Sequence, residues 1–163
     1  MKILIVYDSA FGNTEEIAIA IGEALGLKKY IDVIKAFEVT SEHYKRIKYL
    51  NLLIVGSPTQ KFSPIGGINS FIKNIPKNSL KGVKVAAFDT RFTENEIEKI
   101  RILAFFVKIF GYAAKKIADK LIKKGGMLIA PPEGFFVQDT EGPLLDGELE
   151  RARRWAKQIG SAK

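Results

Sequence analysis

The chain has 163 residues, 47% hydrophobic and 27% charged, which fits a single globular domain over 1–163 with room for a real core. It has no cysteine and one histidine, His43. That excludes disulfides, thiolate nucleophiles and thiolate metal sites, and it argues against paired-histidine zinc sites and Ser-His-Asp hydrolysis. The formal net charge is +8, a field that favours acidic partners, nucleic acid or an anionic membrane without choosing among them.

Residues 3–7 form a continuous apolar run with β-branched members, as expected of a strand covered on both faces. Residues 15–25 place Ile17, Ala20, Ile21 and Ala24 at helical spacing, with Asn13 or Thr14 available as a cap and Gly26 as a stop. Residues 31–37 read as a second strand and 41–49 as a short basic helix. Residues 50–55 read as a third strand, stopped by Gly56-Ser57-Pro58-Thr59. A short helix is expected over 69–75. A fourth strand follows over 83–88, stopped by Asp89-Thr90-Arg91. The pattern over 94–124 is helical throughout, with Gly111 in its middle; 127–130 reads as a fifth strand and 147–159 as a final amphipathic helix. Strands alternating with helices imply parallel pairing, right-handed crossovers and helices on both faces of the sheet.

In such a sheet, ligands bind beyond the carboxyl ends of the strands. Three strand ends here are small and polar. The first, Ser9-Ala10-Phe11-Gly12-Asn13-Thr14, precedes a helix N-terminus whose free N–H groups favour a phosphate. It holds hydroxyl and amide donors and no Lys or Arg, which suits a small phosphate monoester. The same residue types also build ordinary caps and turns.

Together these loops resemble the flavodoxin family. That family's phosphate loop is typically T/S-x-x-G-N-T, matched by Ser9 to Thr14. Its strand-three loop often reads G-S/T-P-T, matched by Gly56-Ser57-Pro58-Thr59-Gln60. The ending EGPLLDGELERARRWAKQI is similar to the tail of single-domain flavodoxin-like proteins. The resemblance implies an α/β, flavodoxin-like, doubly wound five-stranded parallel sheet of order 2-1-3-4-5, with FMN as cofactor. Carried over by position, Ser9, Ala10, Phe11, Gly12, Asn13 and Thr14 would hold the FMN phosphate. Pro58, Thr59, Gln60, Lys61 and Phe62 would border the ring on one side, and Asp89, Thr90, Arg91 and Phe92 on the other. Two departures stand out. Only Phe62 and Phe92 lie where the family places a Trp or Tyr, and this chain is basic where flavodoxins are usually acidic.

The function this implies is electron transfer with the chemistry borne by the flavin, and neither a catalytic side chain nor a metal. An NAD(P)H- or quinone-dependent flavin reductase is one alternative. A flavin-free scaffold of the same fold is another. The charge points to an acidic redox partner. Lys61 and Arg91 beside the ring are expected to favour the reduced, anionic flavin. The surplus apolar residues of 97–110 suit a homodimer contact, a cover over the flavin, a membrane contact or a helix buried on several sides, with the homodimer favoured. Trp155 reads as core, His43 as solvated, and the Lys115-Lys116 and Lys123-Lys124 pairs as a solvated face without a nucleic-acid role. No run approaches the roughly 20 apolar residues that cross a bilayer, and the start is too short for a signal peptide, so a cytoplasmic location is expected.

Overall fold

A computed structural model describes residues 1–26, 30–60, 63–93 and 111–162. Strand β1 (Lys2–Tyr7) leads into helix α1 (Asn13–Leu25), then strand β2 (Tyr30–Lys35) and helix α2 (Ser41–Arg46). Strand β3 (Leu52–Gln60) forms a short antiparallel hairpin with β4 (Ser63–Pro64). Helix α3 (Gly66–Asn74), strand β5 (Lys84–Arg91) and helix α4 (Ala113–Lys123) follow. Strands β6 (Met127–Leu128) and β7 (Glu133–Phe136) and helix α5 (Glu148–Ser161) complete the described chain.

The main sheet is parallel in the order β2-β1-β3-β5-β6, with β7 also paired to β5. This is the expected 2-1-3-4-5 order with its fifth position split. Met127–Leu128 pair with the start of β5 and Glu133–Phe136 with its end. The intervening Pro131-Pro132 lacks the N–H groups a ladder needs. The fifth strand expected over 127–130 thus ends at Leu128, and 133–136, with no strand expected, is β7. Adding the hairpin strand β4 brings the count to seven rather than five.

Alternate residues of the buried strands serve two cores. Ile3, Ile5, Ile54, Ala86 and Phe88 pack under α1 and α5 with Ile17, Ile21 and Trp155. Leu4, Val6, Leu53, Val55 and Val85 pack under α3 and α4 with Ile68, Phe71, Ile117 and Leu121. Each such aliphatic side chain contributes about 1.5–3 kcal/mol by leaving water. Trp155 lies edge-on to Phe88 and Phe135, at centroid distances of 6.3 and 6.2 Å, and is core as expected.

Several element boundaries differ from those the sequence suggests, and three bear on the site. β3 does not stop at Gly56 but runs to Gln60, because Gly56, Ser57 and Pro58 pair in register with Phe88, Asp89 and Thr90, and Thr59 and Gln60 with Pro64 and Ser63 of β4. β1 has already ended at Tyr7, so Pro58 has no ladder partner to lose on that side. Gly56 itself is fixed by packing: a Cβ there would fall 2.0 Å from Phe88 Cζ. β5 likewise includes Asp89, Thr90 and Arg91. Finally, α4 begins at Ala113 after an extended Tyr112, so the helical pattern over 94–124 is not one continuous helix. The 97–110 segment and its dimer reading lie outside the described residues.

Candidate functional site

The carboxyl ends of β1, β3 and β5 lie side by side, joined by Asp8 N–H donating to the Gly56 carbonyl (3.1 Å) and by the β3–β5 ladder. After β1 the loop folds on itself. Ser9 N–H donates to Asp8 Oδ1 and Gly12 N–H to Ser9 Oγ, each at 3.0 Å. Gly12 then takes a left-handed conformation (φ 94°), which a side chain would strain, and its carbonyl accepts the first helical bond from Glu16 N–H. Gly12, not Asn13 or Thr14, is therefore the residue that starts α1, and no side chain caps the helix. The N–H groups of Asn13, Thr14 and Glu15 precede that first helical bond and have no acceptor within the helix. Above them the space where a Gly12 Cβ would stand is open, and Phe11 is half exposed.

The side chains of this loop do other work than the sequence suggested. Thr14 is buried, and its hydroxyl meets that of Thr90 at 2.8 Å, tying α1 to β5. Asn13 Nδ2 donates to the Glu141 carbonyl (3.0 Å), which holds the loop between β7 and α5 beside the first turn. No local pattern in the sequence indicates that neighbour, 128 residues away. Glu15, the one acid turned back towards the strand, is countered. Tyr7 Oη donates to it at 2.7 Å and Lys35 Nζ lies 3.2 Å away; these hold its carboxyl below the usual range, the Tyr7 bond foremost. Burial, reinforced by that acceptor, pushes the Tyr7 phenol well up.

At the other two strand ends, Thr59 and Asp89 both turn towards α4. Thr59 Oγ1 accepts the Ala113 N–H (3.0 Å) and Asp89 Oδ2 the Ala114 N–H (2.8 Å), so these two residues cap that helix. Asp89 has no exposed surface, and its Oδ1 lies 2.5 Å from Arg91 Nε. Burial pushes its carboxyl up, opposed by Arg91, the Ala114 N–H and Thr59. The Arg91 guanidinium also stacks on the Tyr112 ring at 3.6 Å. Arg91 is thus a paired, largely covered cation. Tyr112, which the sequence reading passed over, completes this cluster. Pro58, Gln60 and Phe92 remain at the rim, partly or fully exposed; Lys61 and Phe62 lie outside the described residues.

The geometry therefore separates two jobs. Thr59, Asp89, Arg91 and Thr90 brace the strand ends, and the uncapped turn of α1 offers convergent neutral donors with the positive end of a helix behind them. That donor set fits a phosphate monoester, and so fits the phosphate end of FMN.

A parallel sheet with helices on both faces and its candidate site at the carboxyl ends of three adjacent strands is the doubly wound α/β architecture. Solved structures narrow it. A flavodoxin from the domain Archaea superposes with a TM-score of 0.73 over 98% of this chain and 96% of its own, at 23% identity. Flavodoxin 1 from Bacillus cereus does so at 0.72 over 98% and 97%, at 17% identity. The rubredoxin:oxygen oxidoreductase from Desulfovibrio gigas matches 99% of this chain with 35% of its own, at a TM-score of 0.61 and 20% identity. No protein-family model matches the chain, and no curated protein does. The chain has the flavodoxin fold.

Proposed function

We propose that the protein binds FMN and serves as an electron carrier. The observation that supports this most is the uncapped first turn of α1, opening beside Gly12 at the junction of β1, β3 and β5. Here the backbone N–H groups of Asn13, Thr14 and Glu15 hold the phosphate. Ser9 and Thr14 shape the loop through their bonds to Gly12 and Thr90. The segment through Pro58, Thr59 and Gln60, continuing into Lys61 and Phe62, and the end of β5 at Phe92 border the ring. Bound FMN supplies the redox chemistry; the chain binds, orients and partly shields it. The Asp89–Arg91 pair leaves that edge without an unpaired cation from Arg91.

The test is reconstitution. Purified protein freed of ligand is titrated with FMN and with riboflavin, following flavin fluorescence, and bound flavin is checked after gel filtration. Charge-assisted hydrogen bonds contribute about 1.5–3 kcal/mol each, so two or three predict FMN tighter than riboflavin by at least about a hundredfold. Equal affinities would contradict the phosphate assignment, and failure to retain either flavin would leave a scaffold. An enzyme of the reductase kind would oxidise NAD(P)H or reduce a quinone in steady state once loaded; a carrier would not.

A further inference from the structure

The charge of this protein is not spread evenly. Residues 63–84 and 111–128 contain nine lysines and one acid, Asp119, while the rest of the chain has seventeen basic and seventeen acidic residues. Those two stretches therefore carry the whole net charge of +8. Apart from Lys84, which lies in β5 and whose Nζ donates to the Ala162 carbonyl after α5, their lysines stand on α3, α4 and the turns that follow them, on one face of the sheet. Asp119 is engaged with Lys115 at 2.9 Å. Among the described residues no carboxylate pairs with Lys73, Lys120, Lys123 or Lys124.

These four lysines, with Ser63 and Asn69, line a groove of about 510 Å³ between the two helices. Lys120 Nζ donates to Asn69 Oδ1 (2.5 Å), and Lys124 Nζ to the carbonyls of Lys73 (3.1 Å) and Ile75 (2.5 Å). Neutral acceptors thus hold ammonium groups in place without cancelling their charge. Capping the C-terminal carbonyls of α3 accounts for Lys124 alone. It does not account for Lys73 and Lys123, or for Lys77 and Lys81 in the turn after α3, all of them exposed. The groove also starts near the site, since Ser63 belongs to the β3–β4 hairpin and α4 begins on Thr59 and Asp89.

We propose that this groove docks an acidic protein, with a carboxylate-bearing segment of the redox partner lying along it. The inference rests on the electron-carrier reading only in calling that partner a redox protein. The eleven residues of α4 span about 16 Å, the reach of about five extended residues. Its charge complement is a run of acids, and its concave shape suits a polypeptide. A lipid surface would need more apolar area than Ile122 and Met127, the exposed large hydrophobics of these two stretches. Single-stranded nucleic acid would use stacking aromatics, and the exposed aromatics among the described residues, Phe11, Tyr30, Phe37 and Tyr49, stand on other elements.

A fluorescein-labelled hexaglutamate peptide is titrated into the full chain, with and without FMN, by anisotropy at low salt. The Lys73→Gln, Lys123→Gln variant is compared with Lys2→Gln, Lys157→Gln, which removes the same charge elsewhere. The groove variant is expected to bind the peptide about fivefold more weakly, a little over twofold per exposed charge pair, and the control less than twofold. Urea unfolding of both variants checks that neither change acts through the fold. Equal losses in the two variants would overturn the proposal. So would tighter binding, at matched salt, to vesicles of phosphatidylserine and phosphatidylcholine or to a short DNA duplex. A chain that takes the peptide but not FMN would keep the groove and overturn the flavin reading alone.

Discussion

Asp89→Asn is a small change of shape with a large expected cost. The wild-type carboxylate is fully buried and meets Arg91 Nε at 2.5 Å and Ala114 N–H at 2.8 Å. The amide keeps one acceptor oxygen, turns its NH2 towards the other donor, and leaves Arg91 without a counter-charge. The Arg91 side chain is only 14% exposed, so water replaces little of what is lost. Breaking a buried pair from one side costs about 3–5 kcal/mol. The Tyr112 ring beneath the guanidinium offsets about 0.5–1 kcal/mol of it. A loss of about 3 kcal/mol is therefore expected, or about 6–12 °C in Tm for a domain of this size. The Asp89→Asn, Arg91→Met variant removes both charges and should recover most of the loss. Urea unfolding without flavin reads both, using fluorescence of Trp155, the single tryptophan, which packs against Phe88 and Phe135. A single-variant loss below about 1 kcal/mol would mean that Asp89 is neutral in the native state, and, with Arg91→Met measured alongside, effects additive within about 0.5 kcal/mol would mean that the pair is not coupled. Either result would refute the reasoning.

Gly56→Ala places a methyl 2.0 Å from Phe88 Cζ, a ring wedged against Phe135 and Trp155 with no room to retreat. A loss of about 3 kcal/mol is expected in the same urea assay, with Phe88→Leu in that background restoring part of it. Glu15 titrates below the ordinary 4.5, chiefly because Tyr7 donates to its charged form. The unfolded chain thus binds the proton first, and the stability Glu15 contributes is present above pH 4.5 and lost as the pH falls through its lowered value. Glu15→Gln should flatten the acid limb of the stability profile, and an unchanged limb would remove Glu15 from the account. Asn13→Ala cuts the bond to the Glu141 carbonyl. Hydrogen exchange should speed up over 139–143 and stay unchanged through the middle of α1; unchanged exchange at the loop would show that it is held by other contacts.

The parts of this structure that were legible in the sequence are those whose signal is local. The apolar runs of β1 and β3 could only be doubly covered strands, and Ala152, Trp155 and Ile159 fall on one face of α5 as their spacing requires. The ends of β3 and β5 were not legible, because Gly56-Ser57-Pro58 and Asp89-Thr90 carry turn chemistry while their pairing comes from neighbouring strands. β7 was missed for the same reason: four residues after two prolines become a strand only because the far half of β5 needs a partner. At the site, the sequence located the loop but not the side-chain partners. The Thr14–Thr90 hydroxyl bond and the cluster of Asp89, Arg91 and Tyr112 join residues far apart in the chain, which no local pattern reveals. His43 likewise read as solvated, yet its Nδ1 accepts the Thr40 N–H at 3.0 Å and caps α2.

The central claim is that the backbone of the first turn of α1 holds the phosphate of FMN. It is tested most directly by titrating 15N-labelled protein with FMN and with riboflavin while following the amide resonances of Asn13, Thr14 and Glu15. The account predicts downfield amide-proton shifts at these three positions with FMN, much smaller ones with riboflavin, and ring-dependent shifts at Gln60 and Phe92 common to both. FMN that binds while leaving the amides of Asn13, Thr14 and Glu15 where they were would contradict it.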